Sequence, residues 1–175
     1  MKRFAILACI GSMMAAGCGS STPVTPTNQP TVFNVQLSAA NEVPPITDAE
    51  STARGTAIIT VKPEKDGSGT ITGGTIDFSV SLNGLTSTTV LTAAHIHPGA
   101  AGINGGVLVG TGLTAQDNIP VTNGAATFSK LNVDAKSTNN SAATNIQAIL
   151  ANPSGFYFNV HSALHGGGVM RGQLQ

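Results

Sequence analysis

Along most of the chain, apolar and polar residues alternate with a period of two. Phe33, Val35 and Leu37 alternate with Asn34 and Gln36, the pattern of a half-buried strand. Ile76, Phe78, Val80 and Leu82 alternate with Asp77, Ser79 and Ser81 in the clearest run of this kind. Residues 55–62 are short and β-branched, and segments 88–97, 106–113, 125–133, 156–163 and 169–174 bring the candidates to about eight strands. Turn signals fall between them at Asp66-Gly67, Asn83-Gly84, Asn104-Gly105 and Asn123-Gly124. Strands in this number, without long helices between them, predict an all-β fold: an antiparallel Greek-key sandwich or barrel.

One segment departs from the pattern. Over residues 141–151, Ala143, Ile146, Ile149 and Leu150 stand at helical spacing, and Asn152-Pro153 supplies a stop. This predicts one short helix across an end of the sandwich, preceded by an exposed loop over 134–140.

Composition narrows the functional classes. A chain of 175 residues suits one domain. Eight basic residues balance eight acidic ones, so there is no basic field to hold nucleic acid. Aromatic residues make up 4%, with one Tyr and no Trp, which disfavours platforms for stacking bases or sugars. Beyond the N-terminus no apolar run approaches the roughly 18 residues of a spanning helix.

The N-terminus carries an address. Lys2 and Arg3 precede an apolar stretch and then small residues, the layout of a secretory signal. Met14-Ala15-Ala16-Gly17-Cys18 resembles a bacterial lipobox, with Ala15 in the position that usually holds Leu. The resemblance implies cleavage after Gly17 and a diacylglycerol on Cys18. Two or three acyl chains hold a soluble domain on a bilayer, whereas one binds only marginally. Cys9 falls within the leader, so removing residues 1–17 leaves no cysteine pair for a disulfide. Residues 18–31, with Pro23, Pro26 and Pro30, read as a semi-extended tether, and 32–175 as the folded domain. The expected place is the cell envelope, membrane-anchored and facing the periplasm or the exterior.

Histidines are the most pointed chemical signal. In a strand, His95 and His97 project to one face and Ile96 to the other. Phe158 and Val160 claim the core, which sends Asn159 and His161 outwards. If those strands pair, three imidazoles converge on the outer sheet surface, a donor set suited to copper or zinc. His165, within His165-Gly166-Gly167-Gly168, is an optional fourth ligand. The alternative is that these are polar outer-face residues bonded to neighbouring loops. Asp48, Glu50, Glu64 and Asp66 lie near turns, where solvated carboxylates are expected. No serine has a nucleophile-elbow context, and the glycine-rich pieces 102–106 and 165–168 read as turns rather than phosphate loops.

Three ordered motifs together resemble the chordin-type (CHRD) domain family from about Val32 to Leu174. They are Leu37-Ser38-Ala39-Ala40-Asn41-Glu42-Val43-Pro44-Pro45, AHIHPGAAGINGGV over 94–107, and FYFNVHSALHGGGVMRGQL over 156–174. The resemblance implies an all-β extracellular module of the kind found in chordin, an antagonist of bone morphogenetic proteins, and in bacterial surface proteins. Where the family often has Gly-Glu-Ile, this chain has Gly168-Val169-Met170. A weaker similarity, in the order His95-Ile96-His97 and then His161, is to the copper ligands of Cu/Zn superoxide dismutases. The bridging His, the zinc-binding Asp and the disulfide pattern of those enzymes are not recognisable here.

The resulting expectation is a lipid-anchored, non-catalytic binding module for an extracytoplasmic protein or small ligand. The alternative is a copper-dependent redox enzyme that uses the histidine face. Glu42 and Arg171, each inside a family motif, are expected to join the first and last strands, with Arg171 either pairing with Glu42 or donating to nearby loop carbonyls.

Overall fold

A computed structural model of the chain describes residues 27–175. The leader over 1–17, Cys18 and the tether as far as residue 26 lie outside the described residues. Eight strands, β1 (Thr31–Ser38), β2 (Arg54–Lys65), β3 (Ile71–Asn83), β4 (Leu91–Pro98), β5 (Val109–Gly110), β6 (Ala126–Asp134), β7 (Phe156–Ser162) and β8 (Met170–Gln173), accompany one helix, α1 (Ala142–Ala151). The strands form one sheet in the order β5-β4-β7-β8-β1-β2-β3-β6, with every neighbouring pair antiparallel. This is the all-β antiparallel architecture with a single short helix that the periodicity predicts.

The sheet curls over to make its core. β3 and β7 are four strand spacings apart in the order, about 19 Å in a flat sheet. Yet the rings of Phe78 on β3 and Phe158 on β7 stack with centroids 5.5 Å apart. The sheet is therefore curled into a half-barrel, and Val35, Ile59, Ile76, Phe78, Ile96, Phe158 and Val160 fill it. α1 packs on β3 and β2 and buries Ile146 and Ile149. Its start is set by Ser141, whose hydroxyl accepts from the Thr144 N–H at 3.2 Å.

Three boundaries differ from the sequence reading. Over 106–113 only Val109–Gly110 is strand, because the preceding residues form a loop across the sheet face. The expected exposed loop over 134–140 begins within β6, and Ala135 is buried. Asn145 on α1 donates to the Ala135 carbonyl at 2.7 Å and draws that turn inwards. Thr31, expected at the end of the tether, is already part of β1.

Register is what assembles the site. β4 pairs with β7 so that Ala93 faces His161, His95 faces Asn159 and His97 faces Tyr157. β7 pairs with β8 with Asn159 opposite Arg171, and Arg171 is opposite Ser38 of β1. Directly opposed residues share a face. His95, His97, Tyr157, Asn159, His161 and Arg171 thus stand together on the side away from Ile96, Phe158 and Val160.

Candidate metal centre

The three predicted histidines meet. Ligand atoms of His95, His97 and His161 lie within 4.8 Å of one another. They do not, however, occupy an exposed outer face. His97 and His161 are each only 7% accessible, because loops carrying the glycine-rich pieces fold over the sheet. The sequence gives the side of the sheet correctly and misses the cover.

Those loops fix the rings. The Gly105 carbonyl accepts from His97 Nδ1 at 3.0 Å, and the Gly166 carbonyl accepts from His161 Nδ1 at 2.9 Å. A carbonyl can only accept, so both rings hold their proton on Nδ1 and present the Nε2 lone pair. His161 Nε2 lies 2.9 Å from His95 Nδ1, which makes His95 the donor in that contact. His97 Nε2 is buried with no partner at all. A buried polar atom without a partner is unusual and calls for an explanation. A metal ion bound by His95, His97 Nε2 and His161 Nε2 would supply one, and the backbone carbonyls behind two of the rings are the outer-shell partners such ligands commonly have.

Burial also keeps the imidazoles neutral. It lowers the pKa of His95 to about 4, with the neighbouring His161 and His97 adding to the effect. It likewise lowers those of His97 and His161, against the opposing influence of their carbonyl bonds. Neutral imidazole is the ligating form, so burial favours the donor state of all three rings.

Around the cluster, Tyr157 stacks on His97 with centroids 5.0 Å apart and planes 5° apart. The Arg171 guanidinium lies 4.5 Å from the Tyr157 ring centre. Arg171 and Glu42 do not form a direct ion pair. Instead Arg171 Nε donates to the Asn41 carbonyl at 2.7 Å, and Nη1 donates to Asn104 Oδ1 at 2.7 Å and to the Ile103 carbonyl at 3.4 Å. Glu42 accepts from Asn159 Nδ2 at 2.9 Å.

His165 is not in the cluster. Its Nε2 lies 3.1 Å from Asp48 Oδ2 and 3.6 Å from Glu50 Oε2. Glu50, expected to be solvated, is 1% accessible. It accepts from the hydroxyls of Thr89 and Ser162, which tie the 48–53 turn to β7. The alternation places Asn159 beside His161 without giving it a partner, and it gives no role to Tyr157 or Ser162, although 157, 159 and 161 share one strand face. Asn104 and Gly105, read as turn residues, hold Arg171 and His97.

Glu42 gives this face a pH dependence of its own. Burial raises its carboxyl to about 7, and Arg171 and then His165 only partly oppose the shift. Between its ordinary value and about 7, the native state holds a proton that the unfolded chain has released, so stability falls as pH rises. The histidines act oppositely. Below their ordinary pKa the unfolded chain binds protons that the native state refuses, so their contribution is lost as pH falls. Glu42→Gln preserves an acceptor for Asn159 and removes the first effect. Denaturant titration should find the variant more stable than the parent by about 2 kcal/mol at pH 8, and nearly equal to it at pH 4.5. An equal difference at both pH values would contradict a proton held on Glu42.

The fold and cluster define an all-β domain with three histidines gathered beneath loops on one sheet face. A family model for the CHRD domain matches residues 33–174, and the chain belongs to that family. Comparison with curated proteins and with solved structures finds no match. The three family motifs supply the loop over 39–45, the His95/His97 strand with its following loop, and the strand and loop around His161.

Proposed function

We propose that this chain is a lipid-anchored, extracytoplasmic CHRD module that binds one copper or zinc ion through His95, His97 and His161 without turning over a substrate. The observation that carries the reading is the convergence of three imidazoles, two with their Nδ1 protons committed to backbone carbonyls and one with an unpartnered buried Nε2. Binding would replace the His95–His161 hydrogen bond, with the His95 proton moving from Nδ1 to Nε2 so that no net charge is lost from the ring. A tetrahedral ion with bonds of about 2.0 Å sets its nitrogens about 3.3 Å apart. The present spread of up to 4.8 Å would close by modest side-chain rotation.

The redox alternative needs substrate access to the ion, and the burial of His97 and His161 narrows that access to one side of the cluster. A cleft lined by Pro44, Ile46, Asp48, His97, Tyr157 and His165 adjoins the cluster. It is the natural place for an extracytoplasmic protein or small ligand to reach the ion.

Native mass spectrometry of the full chain after exposure to Cu(II), Zn(II) or, anaerobically, Cu(I) should show one retained ion. Retention of none of the three defeats the metal reading. For the anchor, Cys18→Ala should shift the protein from the membrane to the soluble fraction or leave its leader uncut. A variant that is still membrane-bound and normally processed would show that Cys18 does not carry the lipid.

A further inference from the structure

Among the described residues, the carboxylates near the histidine cluster are engaged elsewhere. Glu42 is held by Asn159, Asp48 by His165, and Glu50 by Thr89 and Ser162. The metal-ligating group contains imidazoles alone. A divalent ion placed there would bring two positive charges into a half-buried site with no anionic ligand to offset them, an unfavourable transfer that grows with charge.

The same site has a fixed cation behind it. Arg171 is 2% accessible, and its hydrogen bonds run to neutral acceptors, the carbonyls of Asn41 and Ile103 and the amide oxygen of Asn104, with the Glu42 carboxyl near enough to feel its charge but not paired with it. It lies against one ring, Tyr157, which stacks on the ligand His97. From these two spacings the guanidinium stands about 10 Å or less from the His97 ring, where an effective dielectric near 20 leaves its field substantial.

We infer that the Arg171–Tyr157–His97 stack sets the charge preference of the proposed metal site, making it selective for monovalent copper over Cu(II) and Zn(II). The inference rests on the metal reading above and says which ion that site takes. Three neutral nitrogens suit three-coordinate Cu(I), a closed-shell ion with little geometric demand. Tyr157 is a positioning residue. It holds the His97 ring parallel to its own and shares Gly105 with it, since the Gly105 N–H donates to the Tyr157 hydroxyl at 3.2 Å while the Gly105 carbonyl accepts from His97 Nδ1. Arg171 acts through that stack and touches no ligand.

Affinities of the full chain for Cu(I), Cu(II) and Zn(II) should be measured separately, by competition with chromophoric chelators and with anaerobic conditions for Cu(I). The parent should bind Cu(I) more tightly than either divalent ion. Arg171→Gln should lower the ratio of Cu(I) to Cu(II) affinity by about tenfold, equivalent to about 59 mV for a one-electron couple. Arg171→Lys, which keeps the charge, should retain most of the ratio. A purely structural role for Arg171 would weaken both ions alike and leave the ratio unchanged, which would overturn the inference. If Arg171→Gln does not fold, the order of affinities in the parent still decides: Cu(II) or Zn(II) bound as tightly as Cu(I) refutes the preference while leaving the metal site standing. Absence of binding by all three ions refutes both.

Discussion

Replacing His95 and His97 together with alanine should lower the affinity for copper or zinc by roughly a hundredfold or more, because loss of even one outer-shell partner of a metal ligand commonly lowers affinity ten- to a hundredfold. Two of three converging imidazoles vanish, and the third, His161, remains pinned by Gly166. The fold should survive. His95 is only partly buried, and the core beneath it is made by Ile96, Phe158 and Val160 on the opposite side of the strands. Removing His97 also removes a buried nitrogen that has no partner, which offsets part of the lost packing against Tyr157. Isothermal calorimetry and circular dichroism on the same samples distinguish the two effects. Parent-like metal affinity in a folded double variant would return the histidines to a structural role.

The second large effect is expected at Gly105. A Cβ there would lie 1.7 Å from the Pro98 carbonyl oxygen and 2.9 Å from its carbon. Both are backbone atoms that no side-chain rotation can clear, so the loop itself has to move. Gly105 accepts the His97 proton and donates to Tyr157, and its neighbour Asn104 holds Arg171 and the Val43 carbonyl. Gly105→Ala should therefore cost about 2–3 kcal/mol in stability, the scale of overpacking a tight site. It should also weaken metal binding by about ten- to a hundredfold through loss of the ring's orienting partner. Gly106→Ala, where an added Cβ meets nothing within 4 Å, is the internal control and should behave as the parent. Thermal unfolding and metal titration of the pair check this. Equal behaviour of the two alanine variants would mean that the loop does not hold His97.

Much of this architecture was legible in residue order. Period-two alternation marks β1 and β3, where one face lies on the apolar core and a one-residue slip would expose it, while β-branched runs and turn signals bound most of the other strands. The same rule placed His95, His97 and His161 on a common side. What alternation does not carry is what covers that side. Gly105 and Gly166 act through backbone carbonyls, which leave no mark on side-chain pattern, so their segments read as turns. Glu50 lies near a turn in sequence, yet its partners Thr89 and Ser162 come from 39 and 112 positions away. Tyr157 and Arg171 take on their roles only once β8 is set beside β7. Pairing between strands distant in sequence is where local pattern has least to say.

The central claim, that three imidazoles of this chain hold one metal ion, is tested most directly by X-ray absorption on copper-loaded full-length protein after removal of loosely held metal. Three imidazole nitrogens at about 2.0 Å, with one ion per chain, is the predicted result. No retained copper, or copper with fewer than three imidazole ligands, would contradict it.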